Sequence, residues 1–138
     1  MRLWHYQLIH YLPKSQLLAQ WRELNSIFKK QDKHILINYI YEYPKDDLNS
    51  YANMIIKEFW LRGYATASIK LSNYLDYFES ERGNMKPLTI TPFKDHHDNR
   101  YLIQCFYNLQ EKFDRGQKDF TLDNYNKLIE FMRQYINI

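Results

Sequence analysis

The side chains of this sequence best equipped for chemistry are its histidines, its one cysteine and its carboxylates, and their spacing limits what they could do. His96-His97-Asp98 puts three metal-ligand types side by side, but adjacent histidines ahead of a helix read as capping or solvated loop groups rather than as a metal set. His5 and His10 add no ligand spacing. Cys105, the single cysteine, has no partner for an internal disulfide and cannot supply a thiolate zinc site. It shares a helical stripe with Tyr101, Leu102, Phe106 and Leu109, where a thiol serves as a small core residue rather than a nucleophile. Glycines 63, 83 and 116 are too scattered to build a phosphate-cradling loop, which argues against nucleotide hydrolysis. No metal and no cofactor is expected. Taken by itself, Glu23 reads as an exposed helix carboxylate paired with Lys30 or Lys33.

Charge is distributed unevenly. Residues 1–34 carry Arg2, Lys14, Arg22, Lys29, Lys30 and Lys33 against Glu23 and Asp32, whereas the remainder of the chain is close to neutral. A polyanionic partner would therefore meet the first quarter of the chain; a solvated basic helix face has the same pattern. With 13 tyrosines, 8 phenylalanines and 3 tryptophans but only 3 glycines, the chain has the apolar content for one core and little capacity for disorder. The opening segment is punctuated by Arg2, His5, Gln7, His10 and Lys14, so these residues are not expected to act as a signal peptide. No apolar run approaches a membrane span, and a cytoplasmic protein with no membrane partner is expected.

These residues must be positioned by helices. The expected class is all-α, one compact domain over residues 1–138 with about five helices and an N-terminal arm threaded near the first. Leu17, Leu18, Trp21, Leu24 and Phe28 predict a helix from Ser15 to about Lys30, with Gln16, Gln20 and Glu23 on another face. Residues 1–12 read as the arm, which Trp4 and Tyr6 could anchor. The β-branched and aromatic segment 33–43 has no strand to pair with and is expected to pack irregularly or as a short helix. A second helix is predicted from about Leu48 to Arg62 with Gly63 as its stop, and a third from Ser68 to about Phe78. A long connection over Glu79–Asp95 follows. A fourth helix spans Asp98 to about Asp114. A fifth opens on Thr121 and carries Leu122, Tyr125, Leu128, Ile129, Met132 and Tyr135 as its stripe.

Several short matches in order carry a resemblance: Met1-Arg2-Leu3-Trp4-His5, Leu12-Pro13, Gln16-Leu17-Leu18, Arg22-Glu23-Leu24, Lys33-His34, the helix exit Arg62-Gly63-Tyr64, and His97-Asp98 with Tyr101-Leu102, Cys105 and Asn108-Leu109. The chain resembles the endonuclease V-type pyrimidine-dimer DNA glycosylases, most closely an uncharacterised bacterial branch grouped with them. The resemblance covers residues 1–64 and 95–113. It implies a DNA repair glycosylase with abasic-site lyase activity, acting on damaged double-stranded DNA. An amine attacks the sugar C1′ to give an imine, from which the strand can be cleaved.

That chemistry requires a neutral amine. An α-amino group, with a reference pKa of about 7.7–8.0, is roughly one-third free base near pH 7.5, against about a thousandth for lysine. The resemblance therefore implies the terminal amine at Met1 as nucleophile and Glu23 as the carboxylate that stabilises oxocarbenium character and moves protons. Arg2 and Arg22 are expected against phosphates, with Lys33 and His34 as a second contact group. Trp4 and Tyr6 are either wedges into the base stack or core anchors of the arm. One position departs from the phage-type pattern: Arg2 stands where those enzymes have a small threonine, which moves the amine by up to about 3.8 Å. A misplacement of about 1 Å can cost on the order of a hundredfold in rate. A non-catalytic DNA-binding module on the same scaffold is the alternative.

Overall fold

Burial of apolar stripes on five helices organises the chain. The computed structural model describes residues 1–64, 70–81 and 88–138, and contains no β-strand among them. The predicted start of the third helix at Ser68, together with Gly83 and Pro87, lies outside the described residues. Residues 1–5 are extended and run into a 3-10 helix, Tyr6–Tyr11. Then come α1 (Lys14–Lys30), a 3-10 turn (Asn38–Glu42), α2 (Lys45–Leu61), α3 (Ser72–Phe78), α4 (Asn99–Asp114) and α5 (Leu122–Met132). The all-α expectation holds.

In α1, Leu17, Trp21, Leu24 and Phe28 recur at helical spacing and are all buried. They face Phe59 of α2 through Trp21, and Tyr74, Tyr77 and Phe78 of α3 through Phe28. The segment after α1 does form a short helix. Ile37 and Ile40, three residues apart, both reach the core because a 3-10 turn stacks residues i and i+3. In α4 the stripe Leu102, Cys105, Phe106 and Leu109 is fully buried, with the Asp98 side chain accepting from Tyr101 N–H as its cap. Thr121 caps α5 in the same way, accepting from Asn124 N–H. Leu122 leaves the predicted stripe and is 64% exposed. It occupies the first helical position, roughly a quarter turn from the line through Tyr125, Leu128 and Met132, with no neighbouring turn to cover it.

The arm is more central than its terminal position implies. Leu3, Trp4, Leu8, Ile9 and Leu12 are all buried, and the 3-10 helix Tyr6–Tyr11 packs against α2, α4 and α5 at once. Trp4 is thereby a core anchor. At the far end of the arm, Arg62 donates from Nη2 to the carbonyls of Ile9 (3.3 Å) and His10 (3.1 Å), while its Nε holds the buried Glu58 carboxylate at 2.8 Å. Pairing both charges and satisfying two carbonyls is what makes Glu58 tolerable in the interior.

Two helix ends show how chain reversal is achieved. After α2, Gly63 N–H donates to Trp60 O and Tyr64 N–H to Phe59 O, a Schellman closure with Gly63 at φ 74°. After α1 the same left-handed role falls to Gln31, at φ 51° and ψ 48°, where a Cβ is disfavoured. Opposite outcomes are expected from exchanging residue types at these ends. Gly63→Ala should lower unfolding free energy by about 1 kcal/mol, since no atom lies within 4 Å of the new Cβ and only the backbone conformation is penalised. Gln31→Gly should raise it by up to about 1 kcal/mol. Urea denaturation of the two variants checks both signs.

Candidate active site

A buried extended arm has peptide groups with no ladder to join, and four side chains supply the missing partners. Gln20 of α1, 1% exposed, donates from Nε2 to Arg2 O at 3.0 Å and accepts at Oε1 from Trp4 N–H at 2.8 Å. The Tyr51 hydroxyl of α2 donates to Trp4 O at 2.6 Å and sits 3.0 Å from Gln20 Oε1. Tyr101 of α4 donates to Leu3 O at 2.5 Å. His97, just ahead of α4, accepts from Tyr6 N–H at Nδ1 (3.2 Å), while its carbonyl accepts from His5 Nε2 at 2.8 Å.

His97 was expected in the solvent or at a cap; Asp98 is the cap, and His97 is 3% exposed. Because its Nδ1 accepts from a peptide, the neutral tautomer carries the proton on Nε2, 2.6 Å from the Tyr39 hydroxyl. Tyr39 also interacts electrostatically with Tyr101, whose hydroxyl donates to Leu3 O. Burial lowers the His5 pKa to about 4 and that of His97 to about 2, and raises those of Tyr39 and Tyr101. The whole network is neutral near pH 7.

Glu23 joins the arm through Gln20, whose Nε2 reaches Glu23 Oε2 at 3.0 Å as well as Arg2 O. Gln20 and Glu23 are three residues apart on one helical face, so one amide holds both the carboxylate and the terminal backbone. Burial raises the pKa of the half-buried Glu23 above the usual carboxylate range. The Met1 amine, the Arg2 backbone, Arg22 and Gln20 all act in the opposite direction and do not fully offset it. Glu23 is thus a carboxyl harder to ionise than an exposed one, within electrostatic reach of the Met1 amine.

Met1, Arg2, Arg22 and Glu23 thus come together at one end of the arm. Met1 is 38% exposed and Arg22 is exposed. The guanidinium of half-buried Arg2 interacts with the Tyr101 hydroxyl and the Cys105 thiol, both on α4. Lys33 and His34 are exposed in the segment beyond α1. Cys105 is fully buried, with burial raising its thiol pKa. Among the described residues no group of three or more histidine, cysteine or acidic side chains is placed to hold a metal ion. Sequence reading overlooked Gln20, Tyr51, Tyr39, Tyr101 and His97 as site-building residues. Only Gln20 carried a usable signal, in sharing a face with Glu23.

These features define an all-helical protein in which one buried amide holds both the N-terminal arm and a partly desolvated helix carboxylate. The chain belongs to the pyrimidine dimer DNA glycosylase family, whose model matches residues 1–71. Membership implies a glycosylase function directed at pyrimidine dimers, with DNA as the substrate. No curated protein and no solved structure matches the chain. Among the described residues no helix is long and apolar enough to cross a membrane.

Two outcomes test this construction. Gln20→Leu leaves the Arg2 carbonyl and the Trp4 N–H without their partner, and should cost about 3 kcal/mol of stability on urea unfolding, with the Glu23 carboxyl no longer held. Acid should also destabilise the protein. The folded pKa values of His5 and His97 lie below the unfolded value of 6.5, so the unfolded chain takes up protons first and stability is lost as pH falls below 6.5. The expected slope down to pH 4.5 is up to about 1.4 kcal/mol per pH unit for each histidine, measurable as falling urea midpoints.

Proposed function

We infer that this protein is a DNA repair glycosylase with abasic-site lyase activity, using the amine of Met1 as nucleophile and Glu23 as proton-transfer and charge-stabilising group. The observation that carries this reading is the Gln20 amide, whose Nε2 donates both to the Arg2 carbonyl, next to the Met1 amine, and to the Glu23 carboxylate. The amine lone pair attacks C1′ of the damaged nucleotide, the base leaves with the electron pair of its bond to C1′ and takes up one proton from the nitrogen, and transfer of the second proton to the ring oxygen as the C1′–O4′ bond opens leaves an imine. Glu23, with its raised pKa, is suited to carry those protons and to offset positive charge developing on the sugar. Arg22, exposed beside Glu23, suits a phosphate contact, and Lys33 and His34 a second one further along the duplex.

Arg2 supports one competing reading. Its guanidinium is engaged by Tyr101 and Cys105, which ties down the residue next to the amine and favours a DNA-binding module without the covalent step. Borohydride trapping separates the two. Purified protein with its native terminus is mixed with a duplex containing one abasic site and reduced. An adduct mapped to Met1 by mass spectrometry is expected, and Glu23→Gln should slow its formation and strand cleavage by at least about a hundredfold. Salt-dependent DNA binding with no adduct would leave the binding module as the function.

A further inference from the structure

A cleft of about 430 Å³ opens where the end of the 3-10 helix Tyr6–Tyr11 meets the C-terminal end of α2 and the first turns of α1 and α5. Its volume falls in the range of small-molecule sites, about 300–1,000 Å³. It is separate from the Glu23 end of the arm: Lys14, on its wall, precedes Glu23 by nine residues of α1, roughly 13 Å along the helix axis. The fixed charges on its walls are Lys14, Arg62 and Lys127 against Glu58 and Asp119.

Both carboxylates are already satisfied. Buried Glu58 takes Arg62 Nε at 2.8 Å and has His10 Nδ1 3.1 Å from each of its oxygens. Asp119 accepts from Ser15 N–H (2.6 Å), the Ser15 hydroxyl (3.0 Å) and Gln117 Nε2 (2.9 Å). An ionised carboxylate only accepts, so His10 Nδ1 is the donor to Glu58 and Nε2 is the ring atom left for a ligand. The imidazole is thus oriented by a buried group while its own side chain is 67% exposed. The lysines are less committed. Lys14 Nζ lies 5.0 Å from the centroid of the Tyr64 ring, and Lys127 pairs at 3.3 Å with Asp123, an exposed contact that a ligand can exchange at little cost. Two cations and a fixed imidazole, from three different elements, therefore line a cleft whose carboxylates need no further partner. Tyr11, stacked on Phe131 at 4.9 Å, and Tyr64 add flat apolar wall. A phosphate accepts from donors on separate walls, whereas a planar carboxylate suits paired donors in one plane.

We propose that this cleft is a second ligand site that takes a phosphate ester of nucleotide size, with Lys14, Lys127 and His10 Nε2 around the phosphate and the tyrosine rings against the rest of the molecule. Protonated at Nε2, His10 donates to a phosphate oxygen while Nδ1 stays on Glu58. The assignment stands apart from the chemistry of Met1 and Glu23. Thymidine 5′-monophosphate and inorganic phosphate are the probes, followed on the full chain through the His10 imidazole resonances and by calorimetry. Both should shift those resonances saturably, and the nucleotide should bind severalfold tighter than bare phosphate. Lys14→Ala and Lys127→Ala, exposed substitutions on different helices, should each weaken the nucleotide about tenfold, the scale of one charge-assisted hydrogen bond, while Glu23→Gln leaves its affinity unchanged. No saturable shift, an affinity no better than that of inorganic phosphate, an unchanged affinity in either lysine variant, or a loss with Glu23→Gln overturns the site. A duplex carrying a tetrahydrofuran abasic analogue then identifies the source of the phosphate. Displacement of the nucleotide assigns the cleft to a DNA strand, and simultaneous binding assigns it to a free nucleotide.

Discussion

A chain terminus buried in an all-helical protein has no neighbouring strand, so each of its peptide groups must find a side chain or remain unpaired at a cost of about 1–3 kcal/mol. The rest of this structure depends on how that requirement is met for residues 2–6. Gln20, Tyr51, Tyr101 and His97 come from α1, α2, α4 and the residue ahead of α4's cap, and each contacts the arm's backbone directly. The arm therefore sets the mutual positions of those elements as much as their apolar stripes do. The buried polar side-chain atoms of the described residues all have partners, as a network of this kind requires.

Desolvation then determines the electrostatics. The same burial that protects the arm's hydrogen bonds keeps His5 and His97 neutral and raises the tyrosines above their ordinary range. At Glu23 it works against three favourable neighbours and a hydrogen-bonding amide, leaving a carboxyl that is harder to ionise than an exposed one. A stabilised scaffold and a perturbed carboxyl are consequences of one packing arrangement. Gln20 is the physical link, since its Nε2 donates to Glu23 Oε2 as well as to the Arg2 carbonyl.

The matched family region ends at residue 71 and so includes the arm, α1 and α2 but not α4. Yet Tyr101 and His97, both beyond it, hold Leu3 and Tyr6. The later half of the chain closes the arm from its other side. The interaction of Arg2 with Tyr101 and Cys105 of α4 belongs to the same closure.

Local signals were sufficient for the helices. Apolar spacing near 3.6 residues located α1, α2, α4 and α5, Asp98 and Thr121 marked two starts, and Gly63 marked a stop, because stripe, cap and left-handed turn each involve residues within about a turn of one another. The ordered matches from Met1 to Tyr64 were enough for the family. What residues 2–6 bond to was not legible: Gln20 lies 16 residues from Trp4, Tyr101 lies 98 from Leu3, and His97 lies 91 from Tyr6. No periodicity encodes pairs at such separations. Sequence by itself thus determined the helical class, the family and the presence of Glu23 on a basic first helix. Tertiary structure decided that Trp4 is core, that His97 is buried and neutral, and that one amide holds both Glu23 and the Arg2 carbonyl, because each depends on which distant side chain meets a peptide group that water has left.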